Sequence, residues 1–211
     1  MSYVQYGCGH DAPDTWINYD SSPTLRLERA PVIGKFLKKN ENRFPPCVRH
    51  GDIVRGLPLP AEQADAIYTS HTLEHLSLIE LRTALKNTFT LLKPGGVFRC
   101  VVPDLAFYID NYLKDDSPVA AHTFLQETML GIVNRPKGIY EWLKEILGGS
   151  SHYWMWDYAS LEYELSKAGF VSIRRAKFGD SQVARFADVE NPERWHNCLG
   201  IESHRPQIAD S

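Results

Sequence analysis

An α/β fold built on a mostly parallel, doubly wound sheet is predicted for this 211-residue chain from three observations. Short runs rich in apolar, β-branched and aromatic residues recur along it, as strands covered on both faces do. Helical patterns with recognisable start and stop signals stand between several of these runs. Strands and helices alternate, which calls for crossover connections and therefore for parallel pairing.

The strand runs are "YVQYG" (3–7), "WINYD" (16–20), "CVRHGDI" (47–53), "ADAIYTS" (64–70), "GVFRCVVPD" (96–104) and "VSIRRAKF" (171–178), with "NCLGIESH" (197–204) a weaker last one. The clearest helix spans 78–92. Ser77 and Glu80 form the S-x-x-E capping box before it; Leu78, Leu81, Leu85, Phe89 and Leu92 follow a helical period, and "KPGG" (93–96) stops it. A second helix spans 158–168, with Asp157 as N-cap, Leu161, Leu165 and Ala168 on its inner face, and Gly169 just past its end.

One domain covering 1–211 accounts for the length, with two additions. Residues 24–43 carry six basic side chains against two acidic ones among Leu, Val, Ile and Phe. They read as a solvated basic insertion, or as an amphipathic helix touching an anionic membrane surface or a lipid-linked acceptor. Residues 105–151 read as a helical insertion or lid.

A net charge of −3 and a pI near 6.2 give no global attraction to nucleic acid or anionic membranes. Cys8, Cys47, Cys100 and Cys198 are widely spaced with no C-x-x-C pair, which suits reduced thiols and a cytoplasmic location. No basic n-region with an apolar h-region opens the chain, and no apolar run reaches the roughly 18 residues of a membrane span.

The run "SHTLEHL" (70–76) matches H-x-x-E-H, a pattern in which helix-borne histidines hold zinc. That site needs both histidines on one helix. The capping box starts the helix only after Ser77, and a strand feeds directly into His71, so 71–76 is expected to be a loop and no metal is expected. Such a loop lies at the carboxyl edge of a parallel sheet, where α/β proteins bind ligands. The turn after the first strand and Asp20 after the second share that edge.

"YGCGHDA" (6–12) contains G-x-G-x-x-A, nominally a dinucleotide fingerprint. The next strand starts only seven residues after Gly9, with Pro13 between, so the helix that the fingerprint requires has no room. Gly7 and Gly9 then either form a plain tight turn or contact a ligand. Asp20, at a strand end, is better placed than Glu28 to hold two ribose hydroxyls.

These runs, taken in order with "ALKNTFTLLKPGGVFRCVVPDL" and "HYWMWDYASLEYELSKAGF", resemble the class I S-adenosylmethionine-dependent methyltransferases. They are most similar to the small type-11-like group with a shortened first crossover. The resemblance leaves out mainly 24–43 and 105–150. It implies a Rossmann-like methyltransferase sheet ending in an antiparallel strand, which 197–204 would supply, and S-adenosylmethionine as cofactor. It places Tyr6, Gly7, Cys8 and Gly9 against the methionine part and Asp20 on the ribose. It places Asp52 at the adenine amino group, Ile53 against the ring, and Ser70 and His71 closing the site. Without a full helix after the glycines, backbone amides of the turn or of residues 10–16 must meet the cofactor's carboxylate.

Methyl transfer from a sulfonium is an in-line displacement that needs alignment, and an oxygen acceptor also needs a base. Position nominates His75 after the fourth strand, Asp104 after the fifth, and His152 where the insertion returns. Each has a plainer reading as a backbone-bonded loop histidine or a helix cap. Tyr153, Trp154 and Trp156 either stack on an acceptor or pack beneath the lid. The expected reaction is methylation, at oxygen, of a small-molecule or saccharide acceptor. The alternatives are a non-catalytic S-adenosylmethionine-binding subunit and a nicotinamide-dependent oxidoreductase.

Overall fold

The computed structural model describes residues 1–30, 43–132, 138 and 151–207. Its strands are β1 (Tyr3–Tyr6), β2 (Ile17–Asp20), β3 (Arg49–His50), β4 (Ala64–Ser70), β5 (Leu92–Pro103), β6 (Val171–Ala176) and β7 (Cys198–His204). The helices are α1 (Pro23–Arg29), α2 (Leu78–Leu91), α3 (Leu105–Lys114), α4 (Ala120–Glu127) and α5 (Tyr158–Lys167). The sheet order is β3-β2-β1-β4-β5-β7-β6. β7 runs antiparallel to both its neighbours, and the other pairs are parallel. The predicted fold class is therefore the one observed.

Chain order reverses direction across the sheet between β1 and β4. The ends of these strands form the crevice in which open α/β sheets hold ligands. No helix follows β1: residues 7–16 return to β2 through turns, so the first crossover is as short as the sequence implies.

α2 begins where the capping box puts it. The Ser77 hydroxyl accepts from the Glu80 amide, and the Glu80 carboxylate accepts from the Ser77 amide at 2.9 Å. Leu81, Ala84, Leu85 and Leu91 bury its inner face against the sheet. α5 carries the expected Asp157 cap and buries Leu161 and Leu165; Gly169, at φ +101°, leaves it in the left-handed conformation open to glycine.

Two boundaries differ most from the sequence reading. The third strand shrinks to Arg49–His50, because Val48 closes a turn onto Pro45 and the pairing with β2 ends at the Gly51 amide on the Asp20 carbonyl. β5 starts at Leu92, so "KPGG" lies inside a strand whose pairing with β4 shifts register there. The weak last run is a full strand paired with β5 from Pro103↔Cys198 to Val97↔His204. Its apolar signal is diluted by buried Glu202, whose partner is Arg99 of β5 at 3.0 Å.

Of the basic insertion, α1 is described and residues 31–42 lie outside the described residues. Leu25 of α1 is fully buried beside Cys8 and Val48, so the helix docks on the body of the protein. Within the second insertion, α3 and α4 are helical as far as Glu127 and pack on each other through Tyr112 and Phe124. The rest of that insertion, 133–137 and 139–150, lies outside the described residues. No described helix is long and apolar enough to cross a membrane.

Candidate functional site

The turn after β1 has two glycines in the left-handed region, Gly7 at φ +64° and Gly9 at +55°. They are needed for different reasons. A Cβ on Gly7 would stand 2.0 Å from the Thr72 hydroxyl, so the loop after β4 packs directly on the glycine turn. A Cβ on Gly9 would meet nothing within 4 Å; only its backbone angle demands glycine, and the space beside it is open to a close-lying ligand.

Asp20 closes the turn from the other side. It is 8% exposed, and its two oxygens accept from the amides of Gly9 (2.9 Å) and Ser22 (2.8 Å). The Gly51 amide bonds the Asp20 carbonyl, drawing the loop after β3 to the same point. There Asp52 accepts from the Val54 amide, and buried Ile53 is held by Asn87 of α2, whose side-chain amide donates to its carbonyl at 2.7 Å. Tyr6 points into the core and hydrogen-bonds Thr88. Burial pushes its hydroxyl far above the usual phenol range, with Thr88 opposing. The Cys8 thiol is likewise pushed up to about 12, by burial first and the Asp20 charge second, which makes it inert.

The structure therefore brings the turn, Asp20, Asp52 and the end of β4 to one edge. These residues fit S-adenosylmethionine in part. Asp20 retains a second lone pair on each oxygen for a ribose, and Gly9 leaves room for close approach. The cofactor's carboxylate is less well provided for. The amides of Cys8, Gly9, Asp11, Ala12 and Trp16 all bond within the chain.

Ser70 and His71 are held by a residue the sequence reading missed. Arg194 donates Nε to the Ser70 hydroxyl at 3.1 Å and Nη2 to its carbonyl at 2.8 Å, while its own carbonyl lies 3.0 Å from His71 Nε2. No local spacing signals a contact across 124 positions. His71 itself adopts φ +51°, uncommon outside glycine and typical of constrained sites. Burial disfavours its charge, but the Cys198 sulfur, the Glu74 carboxylate 3.2 Å away and the Arg194 carbonyl outweigh it and raise the imidazole to about 10.

Residues 71–76 form a loop with one 3₁₀ turn, Leu73–His75, so the two histidines do not share a helix. The insertion's return packs on this turn. The Tyr153 and Trp154 amides both donate to the Glu74 carbonyl, at 2.9 and 3.1 Å. His75 Nδ1 lies 3.1 Å from the Ser151 carbonyl, and the rings of His75 and His152 meet edge to face at 5.0 Å. Two of the three nominated bases are thus neighbours, one from each side of the cleft. Desolvation, with His75 nearby, lowers the His152 pKa against the opposing pull of Glu74, keeping that imidazole neutral.

Asp104 is placed otherwise. Its oxygens accept from the Ala106 amide as the N-cap of α3 (3.0 Å) and from Arg175 (2.9 Å), the capping role weighed for it above. Trp156 is 1% exposed and belongs to the core, whereas Tyr153 and Trp154 are 71% and 41% exposed. A groove lined by Arg82, Lys86, Tyr163 and Lys167 lies on the outer side of α2 and α5 and contains none of these residues.

Comparison with known proteins bears on the fold and on the family model. Residues 4–100 match the family model described as a methyltransferase domain. Among solved structures, a SAM-dependent methyltransferase of Thermotoga maritima, described as a possible histamine N-methyltransferase, superposes with a TM-score of 0.52 at 15% identity, over 97% of this chain and 82% of that one. A chain of the Haloferax volcanii complex between the Trm112 methyltransferase activator and a methyltransferase gives 0.51 at 16% identity, over 98% and 83%. A SAM-dependent methyltransferase of Archaeoglobus fulgidus gives 0.50 at 15%, over 96% and 85%. At such identities the likeness is one of fold. Among curated proteins no sequence match is found.

Proposed function

We propose that the chain is a class I S-adenosylmethionine-dependent methyltransferase, as the match of residues 4–100 to a methyltransferase-domain model supports, and that it methylates an oxygen of a small-molecule or saccharide acceptor. What supports this reading is the convergence of the glycine turn, Asp20 and the Ser70–His75 loop on one sheet edge, with two imidazoles beside them.

When bound, S-adenosylmethionine supplies a sulfonium-activated methyl group. The chain's own part is to hold and to align. Asp20 would take the ribose hydroxyls, Asp52 and Ile53 the adenine, and the backbone of the Gly7–Gly9 turn would line the methionine side, the Tyr6 and Cys8 side chains staying in the core. Ser70 and His71, clamped by Arg194, close the edge. His75 or neutral His152 takes the acceptor's proton as the new bond forms. Asp104 is left to cap α3. Tyr153 and Trp154 offer exposed ring faces to an acceptor at the mouth.

Thermal unfolding with S-adenosylhomocysteine and with nicotinamide dinucleotide tests the cofactor. A rise in Tm with the former alone is expected, since the helix that a dinucleotide needs after the glycines is missing. His75→Ala and His152→Ala should keep that rise while at least one loses transfer by about 100-fold or more. Full turnover in both would remove the base. A second reading, a non-catalytic cofactor-binding subunit, draws on exposed Ile109, Leu113 and Leu125 of α3 and α4. It predicts cofactor binding without turnover on any acceptor.

A further inference from the structure

We propose that Glu74, His75 and His152 form a binding site for a divalent first-row transition-metal ion of the zinc class. One ligand atom from each lies within 4.8 Å of the other two. Proximity alone would carry little, but the state of each side chain points the same way.

Glu74 is 0% exposed, and neither of its carboxylate oxygens accepts a hydrogen bond. His71 Nδ1 stands 3.2 Å from one oxygen, an ion-pair distance without hydrogen-bond alignment. A buried carboxylate so poorly satisfied calls for a further cation or donor. His152 is 9% exposed and also leaves Nδ1 without a partner. His75 directs its own Nδ1 at the Ser151 carbonyl, 3.1 Å away. That bond fixes the tautomer with Nδ1 protonated, leaving the Nε2 lone pair free. A backbone carbonyl orienting the ring in this way is the usual support of a metal-bound histidine.

Two imidazole nitrogens and one carboxylate oxygen suit zinc and its neighbours, whereas magnesium and calcium prefer oxygen alone. Three protein ligands leave a coordination position open. His71 is not among the side chains whose ligand atoms converge, and its Nδ1 serves Glu74 as an ion-pair partner. The H-x-x-E-H pattern thus contributes its Glu and second His from a 3₁₀ turn, and His152, 77 positions beyond that second His, replaces the first.

The methyl-transfer reading is needed only for the use of such a site. There the ion would bind the acceptor oxygen and lower its proton affinity, so that the proton passes to solvent water instead of to an imidazole. Binding itself is independent of that use.

The test uses the full chain after treatment with a chelator, titrated with Zn²⁺ by calorimetry and with Co²⁺ by visible absorption. One equivalent is expected to bind, with d–d bands of a low-coordinate site. Glu74→Gln and His152→Ala should weaken affinity at least about tenfold, and His71→Gln much less. Because Glu74 and His152 are buried, His75→Gln at a partly exposed position repeats the test, and circular dichroism checks each fold. Binding no tighter than about 1 mM, or equal affinity in wild type and a folded Glu74→Gln or His75→Gln variant, overturns the site. These readouts need no cofactor or acceptor. Absent metal binding with S-adenosylhomocysteine affinity intact removes the metal alone. Bound metal without that affinity removes the methyltransferase reading alone.

Discussion

Asp20 holds together a turn that would otherwise have only its glycines to shape it. Its bonds to the Gly9 and Ser22 amides fix the carboxylate that we propose takes the ribose. Replacing it with Ala frees two amides and, on the proposed ribose role, also removes the ribose acceptor. Affinity for S-adenosylhomocysteine should fall by about tenfold or more, measured by calorimetry, and unchanged affinity would refute the assignment. At this scale the sequence was informative about which residues stand at strand ends, because an acidic residue after an apolar run is a local pattern. It was silent on Arg194, Thr72 and Asn87, which act on Ser70, Gly7 and Ile53 from remote parts of the chain. Asp104 shows the opposite risk. A carboxylate at a strand end was nominated for chemistry, and its bonds to Ala106 and Arg175 give it a structural task.

Elements follow local chemistry where caps are explicit. Ser77 and Glu80 set the start of α2, and with it the exclusion of His71 and His75 from that helix. Ser77→Ala should cost about 1 kcal/mol and lower Tm by roughly 2–4 °C, since the rest of the helix stays buried. A loss below about 0.3 kcal/mol in urea unfolding would mean the box contributes nothing. Strand ends were less legible. β3 is cut to two residues by turns on either side, and β5 absorbs "KPGG" because Leu92 already pairs with Ala64. The 3₁₀ turn at Leu73–His75 has no strong sequence signal, and its position is fixed by the Tyr153 and Trp154 amides crossing to Glu74.

On the scale of the whole molecule, one polar network ties the C-terminal third to the sheet. Arg99 is fully buried in β5 and reaches Glu190, Asp180 and Glu202, with its guanidinium 4.8 Å from the Trp195 ring. Arg99→Met would take the ion pair from buried Glu190 and leave Glu202 only Arg174, and should lose about 3–5 kcal/mol by urea unfolding. The same network gives the protein an acid limit. Burial alone would raise Asp180, but Arg174, the Lys177 amide and Arg99 outweigh it and hold the carboxyl at about 2. A carboxyl depressed from an ordinary value near 3.8 stabilises the fold fully above that pH and loses its contribution as pH falls toward 2. Asp180→Asn should flatten the stability profile between those values; an unchanged acid slope would exclude Asp180 as its source.

By itself the sequence determined the α/β class, the strand and helix order, the shortened first crossover and the carboxyl-edge residues, since each rests on neighbours a few positions apart. Only the tertiary structure decided how those residues are held and which of them meet. His152 lies 77 positions from His75, and Arg194 lies 124 from Ser70. Such contacts depend on crossovers and on the return of an insertion, which no local periodicity encodes. The H-x-x-E-H pattern marks the boundary between the two. The sequence placed it in a loop, and folding supplied the third side chain that makes it a candidate site.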